Sequence, residues 1–199
     1  MRKAFLLALC ASLLCIVSCS KPPQPEIDAA KEALTRASQN DDIITYAPDS
    51  LRAAQEAMSA LDAEVAAQSH RSVLSRSYEN AKSLAAAAID AARKAQDDAV
   101  SAKQQVARAA AALVDDLTAS IPGFELKIWT ARRVPRIKLD LIAPLAFVPD
   151  QVRSIAADAA KDIAGGAYAA AKAKLLAAKD LLSAGEETMT EETRIARSR

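Results

Sequence analysis

The chain has 199 residues, of which 51% are apolar but only 4% are aromatic, and it carries 26 basic and 25 acidic side chains. This near balance of charge excludes a general electrostatic attraction to nucleic acid, so we predict no nucleic-acid partner. Alanine occurs 48 times. Because alanine favours helices but buries little surface, the composition predicts an all-α protein with thin cores, in one or two domains.

Residues 1–18 have the pattern of a signal peptide for export. Arg2 and Lys3 precede an apolar segment that is too short to span a bilayer comfortably. The segment ends in Ile16-Val17-Ser18-Cys19, which resembles the processing site of bacterial lipoproteins. The resemblance implies cleavage before Cys19, lipid on its sulfur and acylation of the new amino terminus. The alternative is an ordinary secretory signal that contains this cysteine by chance.

The residues around Cys19 also indicate a location. A serine directly after the cysteine resembles lipoproteins that are sorted to the outer membrane, so we expect an anchored protein that faces the periplasm. Cys10 and Cys15 would leave with the leader, and the mature chain would then hold neither a free thiol nor a disulfide. Residues 19–25 contain three prolines and are predicted to form an extended, lipidated tether.

Residues 26–121 predict a first helical hairpin unit. A short first helix is followed at Pro48 and Asp49 by a second helix, because proline suits the first turn and an acid there faces the positive end of the helix dipole. The apolar seam of this helix is out of phase with the seam that begins at Leu74. We therefore predict a turn within residues 68–72 and an antiparallel hairpin. One uninterrupted helix from Asp49 onward is the alternative.

The second arm of this hairpin is predicted to be a very long helix. From Leu74 to Leu117 an apolar residue, mostly alanine, recurs every three or four positions, which places one narrow seam along a helix. The Ile121-Pro122-Gly123 sequence is predicted to end it, since proline and glycine both oppose a continuing helix.

Residues 122–147 are predicted to be a basic, proline-containing connector. Apolar residues alternate near both of its ends, so a small β-hairpin is one alternative. Short helical turns fit better, because the rest of the chain is predicted to be helical. Cations around an aromatic side chain can hold an anionic partner, whereas a solvated connector whose tryptophan covers the end of the bundle is the simpler alternative. The predicted contact residues are Lys127, Trp129, Arg132, Arg133, Arg136 and Lys138.

Residues 148–184 are predicted to form a second helical hairpin. Val148-Pro149-Asp150 begins its first helix, and Gly165-Gly166 makes the turn into the last helix. Residues 185–199 are polar and are predicted to be a frayed tail. The fold class that we predict is thus all-α, an elongated helical bundle of two antiparallel hairpins with one very long helix.

The two hairpins share sequence features that carry a resemblance. Pro48-Asp49-Ser50-Leu51-Arg52 aligns with Pro149-Asp150-Gln151-Val152-Arg153, and each is followed by a tyrosine with alanine and lysine three and four residues later. Tyr46-Ala47-Pro48 with Leu51 resembles a family of Ala-rich helical-hairpin envelope lipoproteins of unknown function. In that family the repeat often occurs beside OmpA-like, peptidoglycan-binding domains. The resemblance implies an envelope lipoprotein, and the family has no established catalytic residues that could be transferred to this chain.

Chemistry-bearing residues are scarce. His70 is the only histidine and lies among polar residues, so we predict no catalytic site, no metal site and no cofactor. We expect a membrane-anchored periplasmic lipoprotein that acts as a structural or interaction module, with peptidoglycan or an envelope protein as a further partner. The alternative is a helical carrier of an apolar ligand, which the small seam residues disfavour.

Overall fold

The computed structural model describes residues 21–198, and every regular element in this range is helical. The α-helices are α1 (Gln24–Ser38), α2 (Asp41–Tyr46), α3 (Pro48–Ser69), α4 (Glu79–Ala131), α5 (Leu139–Ile142), α6 (Val148–Ala164) and α7 (Tyr168–Ser198). Short 3-10 segments lie at Val73–Ser75 and Ala143–Phe147. The predicted all-α class, with helical hairpins and one very long helix of 53 residues, is confirmed.

The chain divides into two compact units, and the boundary between them lies between Ala102 and Lys103, inside α4. The predicted boundary at residues 121 and 122 is therefore wrong. The N-terminal part of α4 belongs to the first unit together with α1, α2 and α3, whereas its C-terminal part belongs to the second unit. The continuous helix α4 thus contributes residues to the cores of both units.

The first unit is an up-down-up arrangement of α1, α3 and α4. One core cluster joins Ile27, near the start of α1, to Leu61 near the end of α3 and to Ala81 near the start of α4. A second cluster joins Ala37, at the end of α1, to Ala54 in the first part of α3 and to residues further along α4. The helix α3 therefore runs antiparallel to both of its neighbours.

The second unit repeats this arrangement with α4, α6 and α7. Two ion pairs join α4 to α7, Asp116 to Lys179 at 2.7 Å and Lys127 to Glu186 at 2.8 Å, and the second pair lies further along both helices. The two helices are therefore parallel. The tight turn between α6 and α7 holds Gly166 at a φ of 79°, a conformation that glycine adopts without a steric cost.

The sequence repeat corresponds to the same local structure in both units. Asp49 accepts a hydrogen bond from Arg52 at 2.9 Å in the first turn of α3, and Asp150 accepts one from Arg153 at 2.9 Å in the first turn of α6. The aligned alanines that follow each tyrosine are both fully buried. The length of α4 follows from the repeat, because the last helix of the first unit is continuous with the first helix of the second.

The helix α4 continues through Pro122 and Gly123 to Ala131, so the predicted end at residues 121–123 is wrong. Both residues are exposed, whereas Ile121, Phe124 and Ile128 are buried along one face. Burial of one large apolar side chain contributes about 1.5–3 kcal/mol, and three such side chains offset a proline cost of about 3 kcal/mol and a glycine cost of about 1 kcal/mol. The connector predicted over residues 122–147 is therefore shorter, because its residues up to Ala131 belong to α4. No strand occurs in that range.

The turn of the first hairpin is confirmed, although it is longer than predicted. The helix α3 ends at Ser69 and α4 begins at Glu79, which excludes the uninterrupted helix. Leu74, which we predicted to begin the seam, is fully exposed in the turn. The seam is confirmed from Tyr78 to Ala99, whereas its next predicted member, Ala102, is only half-buried. The buried alanines of the seam are Ala81, Ala85, Ala88, Ala92, Ala95 and Ala99.

Both ends of the described chain are more helical than predicted. Gln24 and Pro25 lie in the first turn of α1 rather than in an extended tether, because proline lacks only an N–H that has no helical partner there. At the other end, α7 continues to Ser198, and the frayed tail predicted for residues 185–199 is wrong. Gly185 and Met189 are buried on the face that packs on α4. No helix within residues 21–198 combines the length and apolar character that a membrane span needs.

Candidate functional site

Five of the six predicted contact residues surround the C-terminal end of α4. We call Trp129, Arg132, Arg133, Arg136 and Lys138 the basic surface. The helix ends at Ala131, where the N–H of Arg132 donates to the carbonyl of Ile128 and the N–H of Arg133 donates to that of Thr130, each at 3.1 Å. Cations at this end oppose the partial negative charge of the helix dipole. Some of these cations therefore also stabilise the C-terminal end of α4.

Trp129 is the aromatic centre of the basic surface. Its side chain is 51% exposed, and the guanidinium carbon of Arg133 lies 3.3 Å from the ring centroid. A guanidinium stacked on indole is a favourable cation–π contact that orders both side chains. About half of the tryptophan surface is therefore accessible to a partner, while the ring also lines a cavity with Ile128 and Pro149.

Three of the four cations of the basic surface form no ion pair within the described residues. Arg132, Arg133 and Lys138 form no ion pair with any residue between 21 and 198. Glu125, which lines a cavity with Trp129 and Arg132, binds Arg153 of α6 at 2.7 Å. Arg132, Arg133 and Lys138 consequently present a cluster of cations without an ion-pair partner in this range.

Lys127 lies apart from the basic surface. Its ammonium is 2.8 Å from a carboxylate oxygen of Glu186 on α7, so its charge is compensated within the unit. Sequence reasoning could not find this partner, which is 59 positions away. Lys127 instead lines one side of a groove of about 540 Å³ between the ends of α4 and α7.

Two cations of this groove were missed by the sequence analysis, because they belong to the segment predicted to fray. Arg194 and Arg197 extend from the last turns of α7 beside Met189. Arg194 donates two hydrogen bonds to Glu191, at 2.8 and 2.6 Å, and these hold the pKa of Glu191 below its ordinary value. Arg197 has no ion-pair partner within the described range and adds a further solvated cation to this end of the second unit.

Exposed apolar side chains accompany these cations. Leu139 and Phe147 are 55% and 68% exposed in the segment that leads from the basic surface to α6. A shallow cavity of about 250 Å³ is lined by Trp129 and Arg132 together with Pro149 and the acidic side chains Glu125 and Asp150. Such a mixture of planar cations and apolar surface is typical of interfaces rather than of catalytic centres.

Side chains that commonly act in catalysis or bind metals are few in the rest of the described chain. His70 is exposed in the turn after α3, and within residues 21–198 no three histidine, cysteine or acidic side chains are grouped so that they could hold a metal ion. Residues 1–18 and the predicted lipidation site Cys19 lie outside the described residues. Comparison of the chain with family models, with curated proteins and with solved structures gives no match.

Proposed function

We propose that the chain is a lipid-anchored protein of the bacterial cell envelope that acts without catalysis, as a helical interaction module of the outer membrane on its periplasmic side. Lipidation at Cys19 supplies the anchor, and the basic surface binds an anionic partner. The observation that carries the proposal is the cluster of cations at the end of α4, where Arg133 stacks on the half-exposed Trp129 and where Arg132, Arg133 and Lys138 form no ion pair within residues 21–198.

Membership of the Ala-rich helical-hairpin lipoprotein family is part of this proposal. It is supported by the repeat, since Pro48-Asp49 and Pro149-Asp150 begin equivalent helices with equivalent ion pairs to an arginine three residues later. A duplicated unit without a catalytic cluster suits a spacer that presents surfaces to other envelope components.

The packing favours an interaction module over a carrier of an apolar ligand. Ala81, Ala85 and Ala95 on the seam of α4 are completely buried, because alanine lets neighbouring helices approach closely. In the second unit Phe124 and Leu175 fill the space between the helices and are also fully buried. A carrier would need an apolar cavity at these positions.

The partner of the basic surface is an anionic component of the envelope, and the acidic peptide stems of peptidoglycan or an acidic envelope protein supply the required charge. An exposed ion pair contributes only about 0.2–1 kcal/mol. Several such contacts must therefore act together, and salt must weaken their sum, because exposed charges are screened within about 10 Å at 0.1 M ionic strength.

The test is co-sedimentation of the mature protein with purified peptidoglycan sacculi over a series of salt concentrations. We expect the triple variant Arg132→Gln, Arg133→Gln, Arg136→Gln to bind roughly tenfold more weakly than the wild type at low salt, since each exposed contact is worth about 0.5 kcal/mol. The wild type should approach the triple variant as salt is raised.

The matched control replaces three exposed arginines of the first unit by glutamine, namely Arg36, Arg52 and Arg93. This control changes the net charge equally but leaves the basic surface intact, so it should bind like the wild type. Binding to an acidic protein instead of sacculi would be detected by crosslinking at Trp129 in cells. Equal binding of sacculi by all three proteins would contradict a specific role of the basic surface.

A further inference from the structure

The turn between α3 and α4 carries two exposed apolar side chains. We call residues 70–78 the α3–α4 turn. Val73 is 60% exposed, and Leu74 is fully exposed. The equivalent turn of the second unit joins α6 to α7 with only Gly165, Gly166 and Ala167. A hairpin of this kind thus needs three residues, and the longer turn presents an apolar tip that the packing of the unit does not require.

The α3–α4 turn is held in place by hydrogen bonds. The guanidinium of Arg76 donates to the carbonyl oxygens of Arg71 and Ser69, each at 2.9 Å. The amide oxygen of the buried Gln68 accepts from the N–H of Ser77 at 3.2 Å. A loop with this many internal bonds presents Val73 and Leu74 in a defined conformation, so the tip can enter a partner at a low cost in conformational entropy.

The residues of the α3–α4 turn itself are positive or neutral, although Glu26 in the first turn of α1 lies at the same end of the unit. No acidic side chain occurs between Glu64 and Glu79, whereas the turn contains Arg71 and Arg76. Glu64 accepts a hydrogen bond from Gln68 at 2.8 Å, and Glu79 accepts one from Lys82 at 3.0 Å. A turn whose apolar tip is flanked by its own cations matches the interface of an anionic bilayer, where apolar side chains insert and cations meet phosphate groups.

The tip lies at the same end of the first unit as the beginning of the described chain. Ile27, in the first turn of α1, shares a core cluster with Tyr78, the last residue of the α3–α4 turn, and with Leu61 of α3. The chain enters α1 from Lys21, which is two residues after Cys19 in the sequence. Two residues span at most about 7 Å, so a lipid on Cys19 would hold this end of the unit against the membrane.

We propose that the α3–α4 turn inserts Val73 and Leu74 into the anionic phospholipid surface that holds the lipid anchor, while Arg71 and Lys21 contact headgroup phosphates. The inference rests on the proposed anchor at Cys19 and goes beyond it. Two small apolar side chains contribute little affinity next to several acyl chains. The turn therefore sets the orientation of the first unit on the membrane rather than its attachment.

The experiment measures the depth of the tip in the bilayer. The mature lipidated protein carries a single reactive cysteine, Leu74→Cys, labelled with an environment-sensitive nitrobenzoxadiazole dye. It is reconstituted in phosphatidylethanolamine–phosphatidylglycerol vesicles with and without nitroxide-bearing lipid. Val100→Cys is the matched control, because this side chain is also exposed and apolar but adjoins Ala99 in the core cluster at the opposite end of the unit.

We expect the dye at position 74 to show blue-shifted emission and at least twofold stronger quenching by the nitroxide lipid than the dye at position 100. A dye at position 74 that remains in water, or equal quenching at both positions, would overturn the insertion. A blue shift without nitroxide quenching would also overturn it, since the tip would then contact protein, such as a second copy of the chain.

Intact mass of the same samples separates this inference from the proposed function. Lipidated Cys19 with an unquenched dye at position 74 refutes the insertion alone and leaves the anchor standing. An unlipidated chain that does not associate with vesicles refutes the anchor, and the insertion with it. A variant Leu74→Ser that remains lipidated and vesicle-bound, but loses protection of the neighbouring Arg71 from a water-soluble arginine reagent, would support the orienting role independently.

Discussion

The two units have the same helix order but cores of different composition. The first unit has an alanine-rich core, in which Ile43 and Leu61 are the largest fully buried side chains. The core of the second unit is built from larger side chains, and its largest fully buried members are Phe124, Leu117, Ile142, Leu175 and Val152. The repeat therefore conserves the direction of the helices without conserving the size of the residues between them.

This difference changes how each unit is stabilised. Apolar burial contributes about 25 cal/mol per Å², so the large side chains of the second unit remove more surface from water at each position. Alanine seams contribute less per residue but allow close approach of the helices, which leaves little room for additional atoms. We therefore expect the second unit to be sensitive to truncation of a side chain and the first unit to be sensitive to enlargement.

The largest effect is expected for Phe124→Ala in the second unit. Phe124 is 1% exposed and packs where α4 meets α7, and its truncation should cost about 3–5 kcal/mol. Hydrogen exchange should show faster opening of α6 and α7, while α1 and α3 keep their protection. Leu126→Ala is the control, because Leu126 is 60% exposed on the same helix. A change of less than 1 kcal/mol for Phe124→Ala would contradict a core centred on this residue.

An intermediate effect is expected for Ala88→Leu in the first unit. Ala88 is 1% exposed on the seam of α4, and a leucine there should overpack the interface with α3 at a cost of about 1–3 kcal/mol. The neighbouring exposed residue offers a matched control, since Ala87→Leu should change stability by no more than about 0.5 kcal/mol. Thermal melts followed by circular dichroism measure both. Equal midpoints for the two variants would show that the first unit is not close-packed.

Effects of opposite sign are expected for a pair of glycines in the second unit, and the change at Gly123 should be the smallest of the series. A Cβ added at Gly185 would lie 2.6 Å from the ring of Phe124, whereas one added at Gly123 would meet nothing within 4 Å. We expect Gly185→Ala to destabilise the unit by about 1–3 kcal/mol and Gly123→Ala to stabilise it by about 0.5–1 kcal/mol. Chemical denaturation of both variants compares them directly. The same sign for both changes would be inconsistent with the packing of Gly185 against Phe124.

Local pattern was sufficient to predict much of the fold. The three-and-four spacing predicted the buried face of α4 from Ala81 to Ala99, and the phase mismatch after α3 predicted the hairpin turn. Proline followed by an acid predicted the starts of α3 and α6. These features depend on residues close in the sequence, and for that reason they could be read without knowledge of the tertiary structure.

Features that depend on distant residues could not be predicted in this way. Pro122 and Gly123 oppose a helix locally. The helix α4 nevertheless continues past them, because Phe124 packs against Gly185 of α7. The site shows the same dependence on distant residues. The sequence places Lys127 beside the arginines, but its ion-pair partner Glu186 belongs to another helix. The tip at Leu74 was assigned to the core because an apolar residue at helical spacing gives no indication of the partner it lacks.

The most direct measurement is the intact mass of the processed protein isolated from bacterial membranes after growth with labelled palmitate. We expect a chain that begins at Cys19, carries acyl groups on that residue and incorporates the label. Cys19→Ala should abolish the incorporation and release the protein from the membrane fraction, while circular dichroism still reports an all-helical chain. A mature protein that begins at another residue, or an unmodified Cys19 in a chain that remains membrane-bound, would contradict the lipid anchor.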